Sequence, residues 1–392
     1  MPPRLLYLGD VPVESSYHGS TLLYRLLQSY PADRLMIVEG NLFPARTDRR
    51  LPRVAHHALH VGHSRLLNTR FHDWYSRWLL MGAGARAAQV RTMIGGFAPD
   101  AVLTVGHGYS WVTAARLAKD AGVPLYLILH DDWPRIVAPS LRPSVDRAFG
   151  DIYRQASARF CTSPFMKDDY QRRYGVAGTV LLPYRGVDAP VFPGIAERLS
   201  GPSRSPVIAF AGTINSPGYA QLLRSVAERI ATHHGQLLIF GPIEQPQAAA
   251  WGLDLPNIRL GGLLKADELS LRLRAEADML FVPMSFAPED HDNMRMGFPS
   301  KLTDYTAVGL PLLIAGPPDC SAVRWATEYP GVAEVVTSTD PDALGLAIGR
   351  LADDADHRVA LARAAQRVGN AMFSAAAADA MFRAALQSGT RH

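Results

Sequence analysis

What most constrains this chain is the repetition of one unit: a short apolar run, a turn opened by a glycine or a polar pair, then a helical stretch. Apolar runs of this kind stand at residues 5–8, 35–38, 101–105, 123–129, 158–162 and 180–182, with helical stretches at 20–29, 71–94, 110–121, 146–155 and 163–174 among them. Apolar strands alternating with helices cannot be joined as hairpins. They need crossover connections, and so predict a parallel sheet wound on both faces. The His- and Arg-rich segment after residue 38 carries no strand period and is read as irregular.

Between 186 and 206 the pattern dissolves into Pro190, Pro193, Gly194, Gly201, Pro202, Ser203 and Ser205, the composition of a linker. It then restarts, with strands at 207–211, 236–240, 257–260 and 279–282 and helices at 219–232 and 266–275, before an alanine-rich helical tail over 340–387. A chain of 392 residues exceeds one ordinary core. The expected division is a first domain at 1–189, a linker at 190–205, a second domain at 206–370, and a closing helix at about 371–392 that returns to the first.

Composition narrows the functional classes. No apolar run approaches the roughly 18 to 20 residues of a membrane span, and 5–8 is too short for a signal peptide, so the cytoplasm is the expected compartment. Cys161 and Cys320 lack partners at metal-ligand or disulfide spacing and read as small core residues. Charge is uneven: residues 1–200 hold 24 Lys+Arg against 16 Asp+Glu, a net +8, leaving 16 against 20, a net −4, for the remainder. Nine arginines between Arg46 and Arg91 stand beside two acids, with Trp74, Tyr75 and Trp78 among them. That composition suits a solvated face over core aromatics, an anionic membrane surface or an anionic acceptor. No nucleic-acid motif is present, and nucleic acid is not expected as a partner.

In open α/β sheets ligands bind beyond the carboxyl ends of the strands. The residues that follow the strands are Gly9-Asp10, Gly106-His107-Gly108, His130-Asp131-Asp132, Gly212-Thr213, Gly241-Pro242, Gly261-Gly262 and the stretch Met294 to Pro311, MRMGFPSKLTDYTAVGLP. In that last stretch Ser300 reads as an N-cap and Lys301 to Val308 as a short helix stopped by Gly309. A helix N-terminus beside a lysine suits a phosphate or diphosphate, and Asp304, one turn in, suits a vicinal diol. Phosphate plus diol is what a nucleotide sugar presents. The plainer alternative is ordinary helix punctuation with a solvated lysine.

The segments PDAVLTVGHG, VPLYLILHD, CTSPFMKDDYQRRYGV, LLPYRGVD, IAFAGTINSPG, NIRLGGLLKADELSLRLRAEADMLFVP and FPSKLTDYTAVGLPLL, in this order, resemble the GT-B glycosyltransferases of the family-4 type over nearly the whole chain. The resemblance implies an α/β fold of two facing Rossmann-like domains, a nucleotide diphospho-sugar on the second and an acceptor on the first. By it Asp304 stands where the family binds the ribose, Ser300, Lys301 and Leu302 where it faces the diphosphate, Gly262 and Leu263 beside the base, and Gly212 and Thr213 after the first strand of the second domain. His130 matches the histidine aimed at the donor sugar. Tyr17-His18-Gly19-Ser20 matches the glycine turn near the donor phosphate and acceptor, and His18 and His107 are the acceptor-side candidates.

Two departures stand out. Met296 replaces the family's first Glu, eight residues before Asp304, leaving Glu289, Asp290 or Asp292 to contact the sugar. The family's Arg and Lys after the first strand of the second domain fall on Thr213 and near Gly218, so Lys301 becomes the replacement charge, with Arg295 or Arg185 as helpers.

The implied reaction is sugar transfer from a UDP- or GDP-type donor to an acceptor hydroxyl of a saccharide, a lipid-linked glycan or a small molecule. A retaining course would have His130 orient the sugar; an inverting one would use Asp131 or Asp132 as base. The acidic Glu289-Asp290-His291-Asp292 loop and the adjacent Asp131-Asp132 pair lack metal-binding spacing, so neither metal nor cofactor is expected beyond the donor substrate. A dehydrogenase is disfavoured, because Gly106-x-Gly108 is followed by Trp111 where a third glycine belongs. A transferase degenerated into a saccharide- or protein-binding module is the remaining alternative.

Overall fold

A computed structural model describes residues 1–15, 18–43, 45–190, 192–201 and 205–389. The chain divides into two units, residues 1–182 with 375–392, and residues 183–374.

The first unit holds β1 (Leu5–Gly9), α1 (His18–Leu27), β2 (Leu35–Gly40), β3 (Ala55–Leu59), α2 (His72–Met81), α3 (Ala83–Ile94), β4 (Ala101–Val105), α4 (Ser110–Ala121), β5 (Leu125–Leu129), α5 (Trp133–Ile136), α6 (Arg142–Gln155), β6 (Ala158–Cys161), α7 (Pro164–Tyr174) and β7 (Thr179–Val180). Its seven parallel strands run in the order β3-β2-β1-β4-β5-β6-β7. The strand order therefore reverses between β1 and β4, whose carboxyl ends carry Asp10 and His107. The strands β1, β4 and β5 are buried along their whole length, as expected of strands covered by helices on both faces. Each fully buried Leu or Ile there contributes roughly 1.5–3 kcal/mol.

The second unit holds β8 (Val207–Ala211), α8 (Pro217–Ala231), β9 (Gln236–Phe240), α9 (Gln245–Ala250), β10 (Ile258–Gly262), α10 (Ala266–Glu276), β11 (Met279–Pro283), α11 (His291–Met296), α12 (Lys301–Val308), β12 (Leu312–Ala315), α13 (Ser321–Glu328), β13 (Glu334–Val336), α14 (Pro341–Asp353) and α15 (Ala355–Met372). Its six parallel strands run β10-β9-β8-β11-β12-β13, reversing between β8 and β11. A final helix, α16 (Ala375–Gly389), belongs to the first unit. There Phe382 meets Phe160 at 5.6 Å between ring centres, and the Tyr126 hydroxyl donates to the Leu386 carbonyl at 3.0 Å.

Local chemistry sets most boundaries. Helix α7 starts at Ser163, whose hydroxyl accepts from the Met166 amide at 2.9 Å, with Pro164 in its first turn and Gly175 left-handed at its end. Four expectations need correction. The supposedly irregular segment contains β3, an edge strand paired in parallel with β2, and its AHHAL sequence is only half-buried, which removes the usual apolar signature. The expected single helix over 71–94 breaks at Gly82 into α2 and α3. The strand expected at 180–182 is the two-residue β7. Ser300 makes no side-chain cap to α12; its backbone is already helical, and its carbonyl accepts from the Thr303 amide and hydroxyl.

Candidate functional site

In the second unit the carboxyl ends of β8, β9 and β10 form a rim of glycines. The Gly212 amide donates to the Phe240 carbonyl at 2.9 Å and the Gly241 amide to the Gly262 carbonyl at 3.0 Å. A Cβ on Gly241 would lie 2.3 Å from the Gly212 carbonyl oxygen, so only glycine lets these two strand ends approach so closely. The result is a surface of glycine backbone at these strand ends.

Helix α12 is anchored over this rim. The Ala211 amide donates to the Tyr305 hydroxyl at 2.6 Å, fixing α12 to the end of β8. Arg274 donates to the Val308 carbonyl at 2.6 Å and closes the other end of the helix. One turn before Tyr305, Lys301 reaches back so that its Nζ would touch a Cβ on Gly212 at 3.4 Å. The ammonium sits 4.9 Å from the centre of the Phe210 ring and 5.8 Å from that of Tyr219, a cation–π seat. No carboxylate pairs with it among the described residues. Burial alone pushes it down to about 8. A partly buried cation with no counter-ion among the described residues, beside glycine backbone, is chemically suited to an anion.

The other candidates in this unit fall into place around Lys301. Asp304, on the same helix, is only partly buried and lies close enough to the Arg185 guanidinium to offset part of its burial. Leu302 is fully buried, so its side chain belongs to the core, and its amide donates to the Pro299 carbonyl at 3.0 Å. The amides of Ser300 and Lys301 carry no hydrogen bond to the described residues. Thr213 follows Gly212 and is partly buried, as is Leu263 after Gly262. Arg185 is not a free helper, since its guanidinium donates to the Thr303 carbonyl, the Thr306 hydroxyl and the Asn370 side chain. Arg295 lies in α11.

Met296 is buried in the core and contributes nothing to this surface. Of the three acids proposed in its place, Asp290 accepts from the Ser216 hydroxyl at 2.6 Å and stands at the start of α8, while Glu289 and Asp292 are exposed. The seat provided by Phe210 and Tyr219 was absent from the sequence reading, because neither residue bears a charge or a motif.

In the first unit a second cluster occupies the ends of β1, β4 and β5. Asp10, fully buried, accepts from the Tyr109 and Ser110 amides and from the Ser110 hydroxyl, capping α4 from a neighbouring strand. Burial raises its pKa, and these hydrogen bonds oppose the rise. The cap fixes the turn that carries His107.

The His107 ring stands 4.5 Å from Trp133 and 5.4 Å from Phe43, with its Nδ1 3.3 Å from an Asp131 carboxylate oxygen. His130 is packed under α1, where a Cβ on Gly19 would lie 2.5 Å from its Nδ1. Its Nε2 is buried with no partner among the described residues. Burial, aided by His107 and opposed by Asp131, pushes it down to about 4, so the imidazole is neutral at physiological pH. The backbone of His18 opens α1, but its side chain lies outside the described residues, as does Tyr17.

Asp131 and Asp132, joined in sequence, are separated in chemistry. Asp132 is buried, bound by Arg173 at 2.8 and 2.9 Å, by Arg135 at 3.2 Å and by the Tyr170 hydroxyl at 3.1 Å. That network ties it into the fold as a structural anion, while burial, opposed by Arg173 and Arg135, raises its pKa. Only Asp131 keeps an exposed carboxylate.

Residues 45–189 match the model of Glycosyltransferase Family 4. No curated protein matches the chain by sequence. Among solved structures, HepE of Anabaena, determined in complex with UDP and with UDP-glucose, is 16% identical, with a TM-score of 0.68 in its UDP complex, over 98% of this chain and 100% of its own. A UDP-forming α,α-trehalose-phosphate synthase from Burkholderia vietnamiensis is 14% identical, with a TM-score of 0.67 over 100% of this chain and 98% of its own. A glycosyltransferase from Rickettsia africae is likewise 14% identical, with a TM-score of 0.66 over 99% and 98%. At these identities the likeness establishes the fold. The fold is therefore that of the GT-B glycosyltransferases, and residues 45–189 are similar to Glycosyltransferase Family 4.

Proposed function

We propose that the protein transfers a sugar from a nucleoside diphosphate to an acceptor hydroxyl, with the donor on the second unit and the acceptor on the first. The observation that carries this reading is Lys301, an ammonium partly buried without a counter-ion among the described residues, beside Gly212 and the open amides of α12. It would hold the diphosphate in the ground state and take up its growing charge as the glycosidic bond breaks. Asp304 is proposed to accept from the ribose hydroxyls, Thr213 to meet the phosphates, and Gly262 and Leu263 to flank the base. UDP is the first nucleotide to test, because HepE binds it; GDP is the second.

The chemistry proposed is retaining. The bond from the anomeric carbon to the phosphate oxygen breaks with its electron pair leaving on the phosphate, the acceptor oxygen bonds to that carbon on the same face, and its proton passes to the departing phosphate. His130, neutral and with Nε2 unpartnered, would hydrogen-bond the sugar and hold it in place. His18 and His107 are proposed on the acceptor side. A second reading is favoured by one contact: Asp131, exposed and 3.3 Å from His107, could take the acceptor proton in an inverting course. Since Lys301 supplies the positive charge, transfer is proposed to need no divalent metal.

Titration calorimetry with UDP, GDP and UDP-glucose, repeated on Lys301→Met, tests the reading. Nucleotide binding by the native protein and a loss of at least tenfold in the variant are expected. No binding of any nucleotide would favour a degenerate module, and equal binding by the variant would remove Lys301 from the site. The anomeric configuration of the product, read by NMR coupling constants, decides between the two courses, and activity in EDTA decides the metal question.

A further inference from the structure

We infer that α2 is a membrane-docking helix that seats the first unit on an anionic lipid surface. Phe71, Trp74, Trp78 and Met81 fall three, seven and ten positions along from the first, one stripe of a helix. All four are exposed, at 53%, 68%, 48% and 77% of their full surface. Other large exposed apolar residues, such as Val187, Leu271 and Leu346, are scattered singly along the chain, which is ordinary. Three in one stripe on a ten-residue helix, with a fourth at the residue just before it, are not.

The opposite face of α2 is locked down, so the stripe is held outward and is no frayed segment. Tyr75, Ser76 and Leu79 are buried, the Ser76 hydroxyl lies 2.6 Å from that of Tyr109, and the Tyr75 hydroxyl accepts from the His63 amide at 2.6 Å. Arg86, on the following helix, donates to the Leu79 carbonyl. Trp78 is further fixed by stacking on Tyr75, with ring centres 5.6 Å apart.

Charge identifies the partner. Arg65, Arg70 and Arg77 surround the stripe, all exposed, and none forms an ion pair among the described residues. The Arg70 guanidinium lies 4.9 Å from the Phe71 ring centre. The one acid on the helix, Asp73, is drawn away to the Ser140 hydroxyl. An arginine-ringed band of tryptophan and phenylalanine matches the headgroup layer of an anionic bilayer, where rings sit at the acyl boundary and guanidiniums meet phosphates. Among the described residues no helix is long and apolar enough to cross a membrane, so the contact proposed is a peripheral one. This inference concerns a surface separate from the donor residues and does not require the glycosyl-transfer reading.

The test is co-sedimentation of the full chain with vesicles of phosphatidylcholine alone and with phosphatidylglycerol added to give the surface a negative potential. Native protein should bind the anionic vesicles, release in high salt, and bind the neutral ones weakly. Trp74→Ala with Trp78→Ala, and separately Arg70→Glu with Arg77→Glu, should each lower binding at least tenfold while leaving melting temperature and nucleotide binding unchanged. Failure of the native protein to bind anionic vesicles, or undiminished binding by both pairs of variants, overturns the inference. So does light scattering that shows a concentration-dependent dimer abolished by the tryptophan substitutions, since the stripe would then serve a second copy of the chain.

Discussion

The two units share an architecture and differ in what they place at their strand ends. Both are parallel sheets whose order reverses once, between β1 and β4 in the first and between β8 and β11 in the second. Beside β8 the second unit offers glycine backbone and one partly buried cation; beside β4 and β5 the first offers two histidines, an exposed carboxylate and aromatic rings. The contrast teaches that the fold supplies only the location. An anion site needs bare amides and a charge without a partner, whereas a site that orients hydroxyls needs neutral donors and acceptors held at fixed angles.

The sharpest way to break this comparison is to remove the charge. Lys301→Met keeps the stem over Phe210 and deletes the ammonium, and should lower kcat/KM by roughly 10²- to 10³-fold, the usual cost of losing one group that stabilises developing charge. Steady-state kinetics with donor varied would measure it, and Lys301→Arg should recover part of the loss. An unaltered kcat/KM would mean the charge sits idle.

The counterpart in the first unit is His130→Ala. Because this side chain is proposed to hold the sugar and not the nucleotide, kcat should fall by about 10²-fold while UDP affinity stays within about twofold. A fall in UDP affinity as large as that in kcat would erase the proposed division of labour. Gly19→Ala is a companion test, since its methyl would intrude on His130 Nδ1 at 2.5 Å and should reproduce part of the kcat loss.

A smaller effect is expected at the glycine rim. In Gly241→Ala the new methyl would collide with the Gly212 carbonyl, which is backbone and cannot swing aside, at a cost of about 1–3 kcal/mol. Denaturant unfolding of the second unit should show that loss with an unchanged slope. Donor affinity should fall as well, because Gly212 would have to move away from Lys301.

Much of this was legible in the sequence, and what was not has physical causes. Buried parallel strands announce themselves as apolar runs, so β1, β4, β5, β8 and β9 are readable, and so is the strand-end list on which most candidates lie, His18, Gly19 and Leu263 excepted. Strand β3 hides because an edge strand needs only half its side chains apolar, and its His56 faces Glu39. The helix break at Gly82 hides because glycine inside a helical pattern is tolerated as often as it terminates. At the site, Lys301 was legible from its position at a helix start. Its destination was not, since nothing local says that a side chain from α12 will end at Gly212, eighty-nine residues earlier in sequence. The difference between Asp131 and Asp132 was equally hidden, because it depends on Arg173, forty-one residues away.

The smallest effect expected is also the one that separates the units by pH alone. Lys301 titrates at about 8 in the folded protein against an ordinary 10.5, so the free protein loses the ammonium as pH rises through 8. At pH 9 only about one molecule in eleven would carry it, and UDP affinity should be roughly tenfold weaker than at pH 7, less any part recovered because the bound diphosphate draws the proton back. Stability moves the other way. Between about pH 8 and 10.5 the unfolded chain binds a proton that the folded one does not, so this lysine makes stability rise with pH across that window. His130, lowered from 6.5 to about 4, does the same between those two values and is silent at pH 8 and above. Calorimetric titration of UDP from pH 7 to 9.5 should therefore show weakening that Lys301→Arg abolishes and His130→Ala leaves in place. Weakening that survived in Lys301→Arg would assign it to another group and return the two strand-end sites to equal standing.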